Sequence, residues 1–142
     1  MILEDIYVGI EPSKRMKSIH LFVTKYLEGY KKEVEVYEYP QYQGETIFVT
    51  KDLSEMLEFA LAESGRSYSF FLENAENKEA PKAMIRINKD ESIFLGLGAY
   101  PKFTAKYEQI LRKDFSSNLI LICHHTTPPD NFIEFKKAAL GS

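Results

Sequence analysis

Two hydrophobic periodicities alternate along this chain with short polar turns between them, and that alternation limits its fold more than any single residue does. Leu53, Met56, Leu57, Ala60 and Leu61 recur at three- and four-residue steps, with Glu55, Glu58 and Glu63 opposite them. This is the pattern of an amphipathic helix. Asp52 or Thr50 is placed to cap it and Gly65 to end it. Met16, Ile19, Val23, Leu27 and Tyr30 predict a second helix over 13–30, with Pro12 near its start and Gly29 near its end. Shorter helices are expected over 102–113, through Phe103, Tyr107, Ile110 and Leu111, and from Phe132, where Asp130 or Asn131 is the cap.

Between these stripes the period falls to two. Val34 and Val36 alternate with Glu33, Glu35 and Glu38, a half-exposed strand that Pro40 stops or marks as an edge. Gly44 sits in a polar turn, and the run Thr46 to Thr50 returns as a β-branched strand, so a hairpin is expected. Tyr68 to Leu72 reads as a buried strand, followed by a polar loop from Asn74 to Pro81. Met84 to Asn88 and Ile93 to Ala99 flank the polar turn Lys89 to Ser92, a second hairpin. Leu119 to Cys123 is a further apolar strand, and Thr126-Thr127-Pro128-Pro129 forces irregular backbone after it. The βαβ alternation with glycine-rich turns of a doubly wound fold is missing. The expected class is α+β: a mainly antiparallel sheet with helices on at least one face.

A chain of 142 residues with 44% hydrophobic side chains can build this sheet without staples, since a domain of about 150 residues buries roughly 68–70% of its unfolded surface. The one cysteine, Cys123, rules out an intrachain disulfide framework. With no repeat and no linker, residues 1–140 read as one domain and 141–142 as a tail. Charge narrows the function. A net −3 argues against general nucleic-acid binding, which normally needs a basic excess. The opening MILEDIYVGIEP has no basic region before its scattered apolar residues, so a signal peptide is not expected. No apolar run approaches the roughly 20 residues that span a bilayer. The expected location is cytoplasmic.

Few constellations suggest chemistry. Cys123-His124-His125 could pair a thiol with an imidazole base, and on a strand Cys123 and His125 would share a face. A cysteine in an apolar strand is more often buried and inert, and no second cysteine completes a zinc site. Gly96-Leu97-Gly98 lacks the third glycine and following helix of a dinucleotide fingerprint, so close backbone packing is the expected role. No catalytic, cofactor-binding or metal-ligating residue is therefore assigned, and no cofactor is expected. The carboxylates are more informative. Residues 1–51 carry net −1, residues 52–79 net −5 and residues 80–142 net +3. Glu33, Glu35 and Glu38 lie by the first hairpin, and Glu73, Glu76 and Glu79 flank the loop after the Tyr68 strand. Tyr37, Tyr39 and Tyr42 cluster at the same hairpin, where tyrosine serves contact surfaces at low entropy cost or packs inward. Glu33, Glu35, Tyr37, Glu38, Tyr39, Glu73, Glu76 and Glu79 are the candidate partner-binding residues.

The last third of the chain carries a resemblance. Glu91 to Ala99 (ESIFLGLGA), a short Tyr/Leu helix, a strand ending in His124-His125-Thr126-Thr127-Pro128-Pro129-Asp130, and the closing Phe132-Ile133-Glu134-Phe135 follow one another in order. This resembles small bacterial immunity proteins of polymorphic-toxin and contact-dependent inhibition systems. The resemblance implies a non-catalytic cytoplasmic inhibitor whose partner is one cognate protein toxin, and it carries over no contact residue. Two other readings stay open: a small enzyme using Cys123 and His125, and a regulatory domain that dimerises through the strand edge near Val34–Tyr39.

Overall fold

The computed structural model describes residues 2–41, 45–63 and 65–141, so Tyr42, Gly44 and Ser142 lie outside the described residues. Six strands form one fully antiparallel sheet: β1 (Glu4–Ile10), β2 (Lys31–Lys32), β5 (Tyr68–Glu73), β6 (Lys82–Ile87), β7 (Ile93–Ala99) and β8 (Ile120–Cys123). Their spatial order is β2-β5-β6-β7-β1-β8. A separate ribbon pairs β3 (Tyr37–Tyr39) with β4 (Phe48–Thr50). Four helices complete the α+β domain: α1 (Arg15–Tyr26), α2 (Leu53–Ala62), α3 (Thr104–Asp114) and α4 (Phe132–Leu140).

Strand alternation divides the core in two. Ile6 and Val8, Leu95 and Leu97, Ile85 and Ile87, and Phe70 point to one face, where Phe22 of α1, Met56 and Leu57 of α2 and Leu111 of α3 meet them. Tyr7, Met84, Phe94 and Cys123 point to the other, where α4 alone of the helices packs, through Phe135. All seven residues of β7 are buried, as a central strand covered on both faces requires. Glycine makes the second face possible. A Cβ on Gly9 would sit 2.6 Å from the Phe135 ring, and one on Gly96 would sit 2.7 Å from the Tyr7 ring. In the Gly-Leu-Gly run, Gly96 thus seats the Tyr7 ring, while Gly98 packs against Lys82 and Asp5.

Local signals set the element ends. Asp52 caps α2, its carboxylate accepting from the Glu55 amide at 2.9 Å, and Asn131 caps α4 by accepting from the Glu134 amide at 2.9 Å. Gly29, Gly65 and Gly141 take the left-handed conformation after α1, α2 and α4. Several expectations need correction. The segment Glu4–Ile10, which shows only scattered apolar residues, is the interior strand β1, paired with β7 on one side and the edge strand β8 on the other. The first hairpin starts at Tyr37: Val34 is exposed, and β2 ends two residues before it. Aromatic area outweighs the valines here, since Tyr37 and Tyr39 take the inward positions. Met16 is 62% exposed, so the buried stripe of α1 runs through Ser18, Ile19 and Phe22 instead.

Helix α1 is tied to α3 at their C-terminal ends. The Tyr26 hydroxyl donates to the Asp114 carboxylate, and the Lys25 ammonium lies 2.7 Å from it. Burial pushes the Asp114 carboxyl up, but the bonds from Lys25 and Tyr26 outweigh it and hold it below its ordinary value. A carboxyl lowered on folding contributes stability above its unfolded pKa and loses it as pH falls through the folded one. Asp114→Asn is therefore expected to flatten the acid limb of the melting temperature against pH below about pH 4. An acid limb identical in the variant and the parent would show that this pair adds nothing to folding.

Candidate protein-docking surface

The ribbon β3–β4 has two chemically different sides because it alternates. Inward go Tyr37, Tyr39 and Phe48. Tyr37 meets Phe70 edge-on at 5.3 Å, Tyr39 meets Phe59 edge-on at 5.1 Å, and Phe48 stacks on Phe59 at 4.3 Å. Tyr37 and Tyr39 are 2% and 1% exposed. Their expected part as surface anchors is corrected: they fix the ribbon to α2 and β5, because such rings bury more apolar area than any valine nearby.

Their hydroxyls are an anomaly. Both are buried with no hydrogen-bond partner among the described residues. Burial, with the charge of Asp52 adding to it, pushes the Tyr37 phenol up to about 12. An unsatisfied buried hydroxyl costs about 1–3 kcal/mol. Tyr37→Phe and Tyr39→Phe are each expected to leave the protein as stable as before or more so, read as the denaturation midpoint. A fall of the midpoint in both variants would mean that the hydroxyls are satisfied in solution.

Outward go Glu38, opposite Val49 in register, and Ile47. Val34, Ile47 and Val49 are 43%, 60% and 52% exposed, three of the seven exposed large apolar side chains among the described residues. Beside the ribbon, Val34, Glu35, Val36, Glu38, Gln41 and Tyr68 line a recess of about 230 Å³. Residues 33–50 contain four glutamates and no lysine, arginine or histidine. The outer side of the ribbon thus carries Val49 opposite Glu38 with Ile47 just before it, and Val34 and Glu35 lie exposed in the chain ahead of the ribbon. Ile47 and Val49 were missed as surface residues because the run Thr46 to Thr50 alternates equally well in either phase. Only the Phe48–Phe59 stack decides which phase faces in.

The other candidate carboxylates do not join this surface as free charges. Lys82 lies 3.3 Å from Glu33 and 3.2 Å from Glu73, pairing with both and leaving the trio a single net negative charge. Glu79 accepts from Lys106 at 2.6 Å and from the Tyr107 hydroxyl at 2.9 Å, which hold its carboxyl below the usual range. Glu76 is exposed and has no cation within 4.0 Å among the described residues, as do Glu35 and Glu38. The linear charge block at 52–79 thus breaks up in space, because lysines from β6 and α3 fold against its end.

The Cys123 thiol is bonded to Thr126, not to His125. Cys123 is the last residue of β8, and the chain then turns, with His125 at φ 59°. The turn ends the alternation that would have put His125 beside the thiol. Burial raises the Cys123 thiol, and the nearby Asp5 charge adds to it against the opposing Thr126 bond and Arg86. A raised thiol is the reverse of an activated nucleophile. His124 instead bonds Glu4 at 2.7 Å. Among the described residues no three His, Cys, Asp or Glu side chains gather to hold a metal ion, and no helix is long and apolar enough to cross a membrane.

The fold and this surface define an antiparallel α+β domain whose ribbon exposes Ile47 and Val49, with Glu38 opposite Val49. Comparison with protein-family models, with curated proteins and with solved structures finds no match to the chain.

Proposed function

We propose that this protein is a binding protein that neutralises a basic protein partner by covering it, as a small bacterial immunity protein neutralises its cognate toxin. The observation that carries the reading is the outer face of the ribbon. Ile47 and Val49 are exposed with Glu38 opposite Val49, Val34 and Glu35 are exposed just before the ribbon, and the sequence from 33 to 50 holds no basic residue. Apolar side chains at the centre of a contact supply affinity, while unpaired carboxylates around them attract a basic surface and penalise an acidic one. A toxin that acts on nucleic acid carries such a basic surface for phosphate. Order along the last third of the chain, from the Gly-Leu strand to the closing Phe135 helix, supports the same class.

The test is kinetic. Glu35→Lys and Glu38→Lys together are expected to lower the association rate with the proposed basic protein partner at least tenfold at low salt. The effect should shrink as salt rises, since the screening length is about 8 Å at physiological ionic strength. Glu73→Lys is the control, because Glu73 already faces Lys82, and its rate should change less. Equal rates for the double variant and the parent at low salt would remove the ribbon from the interface. Turnover of a small substrate by the purified chain, with no protein partner, would remove the binding reading itself.

A further inference from the structure

The two edges of the six-stranded sheet are treated differently, and the difference points to a second copy of this chain. An edge strand presents a row of unpaired N–H and C=O groups, and single-chain proteins blunt it with charge, proline, a bulge or a cover. The β2 edge is blunted in this way. Its strand is two lysines long, Lys31–Lys32, and the Glu33 amide donates onward to the Phe71 carbonyl at 3.1 Å. Where β2 ends, the Gln41 carboxamide takes its place. It donates to the Ser69 carbonyl at 2.7 Å and accepts from the Ser69 amide at 2.8 Å, as a paired strand would.

Strand β8 itself carries no charge, proline or bulge: Asn118 to Cys123 reads NLILIC, and the strand pairs with β1 in unbroken register. The Gly9 amide donates to the Leu119 carbonyl at 2.9 Å, which puts Leu119, Leu121 and Cys123 at the positions bonded to β1. The amides and carbonyls of Ile120 and Ile122 therefore point away from the sheet. At one end of this row Arg112 already donates to the Asn118 carbonyl at 3.4 Å.

We propose that β8 pairs antiparallel with β8 of a second copy of this chain, about a two-fold axis at Leu121, joining the two sheets into one. The geometry is self-complementary. With the axis at Leu121, Ile120 of one copy lies opposite Ile122 of the other, and both are outward-pointing positions. Each such pair exchanges both N–H···O bonds, and the axis repeats the exchange. The side chains agree with the backbone: isoleucine faces isoleucine on the α3 side and leucine faces leucine on the α4 side, so no like charges meet. Helix α4, which packs over β1 and β8, also carries Ile133 and Leu140, 67% and 49% exposed. The β8 edge lies at the opposite end of the strand order from β2. The inference is independent of the ribbon surface and survives if that reading fails.

The test uses the purified full chain. Light scattering behind size exclusion should give twice the mass of the 16.4 kDa chain at high concentration. Over the same dilution series, the Ile120 and Ile122 amides should go from slow to fast hydrogen exchange as the dimer dissociates. Ile122→Pro removes one outward donor and no bond to β1, so it should give a folded monomer. Should that variant fail to fold, the concentration dependence of the two amides in the parent decides. A monomer at every concentration, or a dimer in which both amides still exchange freely, overturns the proposal. Protection of those amides only when a foreign protein is added also overturns it, since the edge would then belong to another chain.

Discussion

Phe135→Ala is expected to destabilise the protein by about 3–5 kcal/mol, the usual range for deleting a fully buried aromatic side chain. Phe135 is 0% exposed and stacks on Phe94 at a centroid distance of 4.2 Å. Its ring occupies the space that Gly9 leaves on β1, so no neighbouring side chain is poised to fill the cavity. It is also the only fully buried residue of α4. The second core is small, consisting of Tyr7, Met84, Phe94, Cys123 and Phe135 with a few half-buried neighbours. Loss of the Phe135 ring should therefore undock α4 as well as weaken the core. Urea denaturation would show a lower midpoint, and hydrogen exchange would show faster opening in 132–140 than in β6 or β7. A midpoint within experimental error of the parent would mean that α4 contributes nothing to the fold.

Leu57→Ala is expected to cost about 2–5 kcal/mol through lost transfer energy and an unfilled cavity. Leu57 is 6% exposed and lies in the larger core beside Met56, Ala60 and Leu61 of the same helix. Helix α2 has the further task of seating the ribbon, since Phe59 stacks with Phe48 and meets Tyr39 edge-on. The variant should therefore loosen strands β3 and β4 and, on the proposed function, reduce binding of the proposed partner more than its effect on global stability alone would explain. Thermal melting gives the first quantity and partner titration the second. A shift of the melt by under about a degree, where a loss of this size should lower it by several degrees, would show that the helix does not bury this face.

These two variants also mark how much of the protein its sequence specifies. The α2 stripe is legible because five apolar residues fall on one helical face and Asp52 supplies the cap at the right position. Period and capping are local, so neighbours within four residues settle them. The β6–β7 hairpin and the strands β5 and β8 are legible for the same reason: short apolar runs bounded by turn residues. The α+β class follows from their order along the chain.

The interior strand β1 is not legible in the sequence. Asp5, Tyr7 and Gly9 interrupt its apolar residues, and their roles exist only against residues far away in sequence. Gly9 makes room for Phe135, and the Tyr7 hydroxyl accepts from Arg86 at 3.0 Å. The docking surface was half legible. Glu35 and Glu38 were placed by their alternation with valine, and both are exposed. The clustering of Tyr37 and Tyr39 at the hairpin leaves contact surface and inward packing both open, and the aromatic cluster with Phe59, Tyr68 and Phe70 draws them inside. Glu33, Glu73 and Glu79 were grouped by linear charge, and three-dimensional packing then set Lys82 and Lys106 against them.

By itself, then, the sequence determined which segments become helices and hairpins, because hydrophobic period, caps and turn residues act over a few positions. Only the tertiary structure decided that Glu4–Ile10 is an interior strand, which face of the ribbon meets solvent and which carboxylates keep a free charge. Those outcomes depend on competition for buried area and on ion pairs between residues that meet only once the sheet has closed.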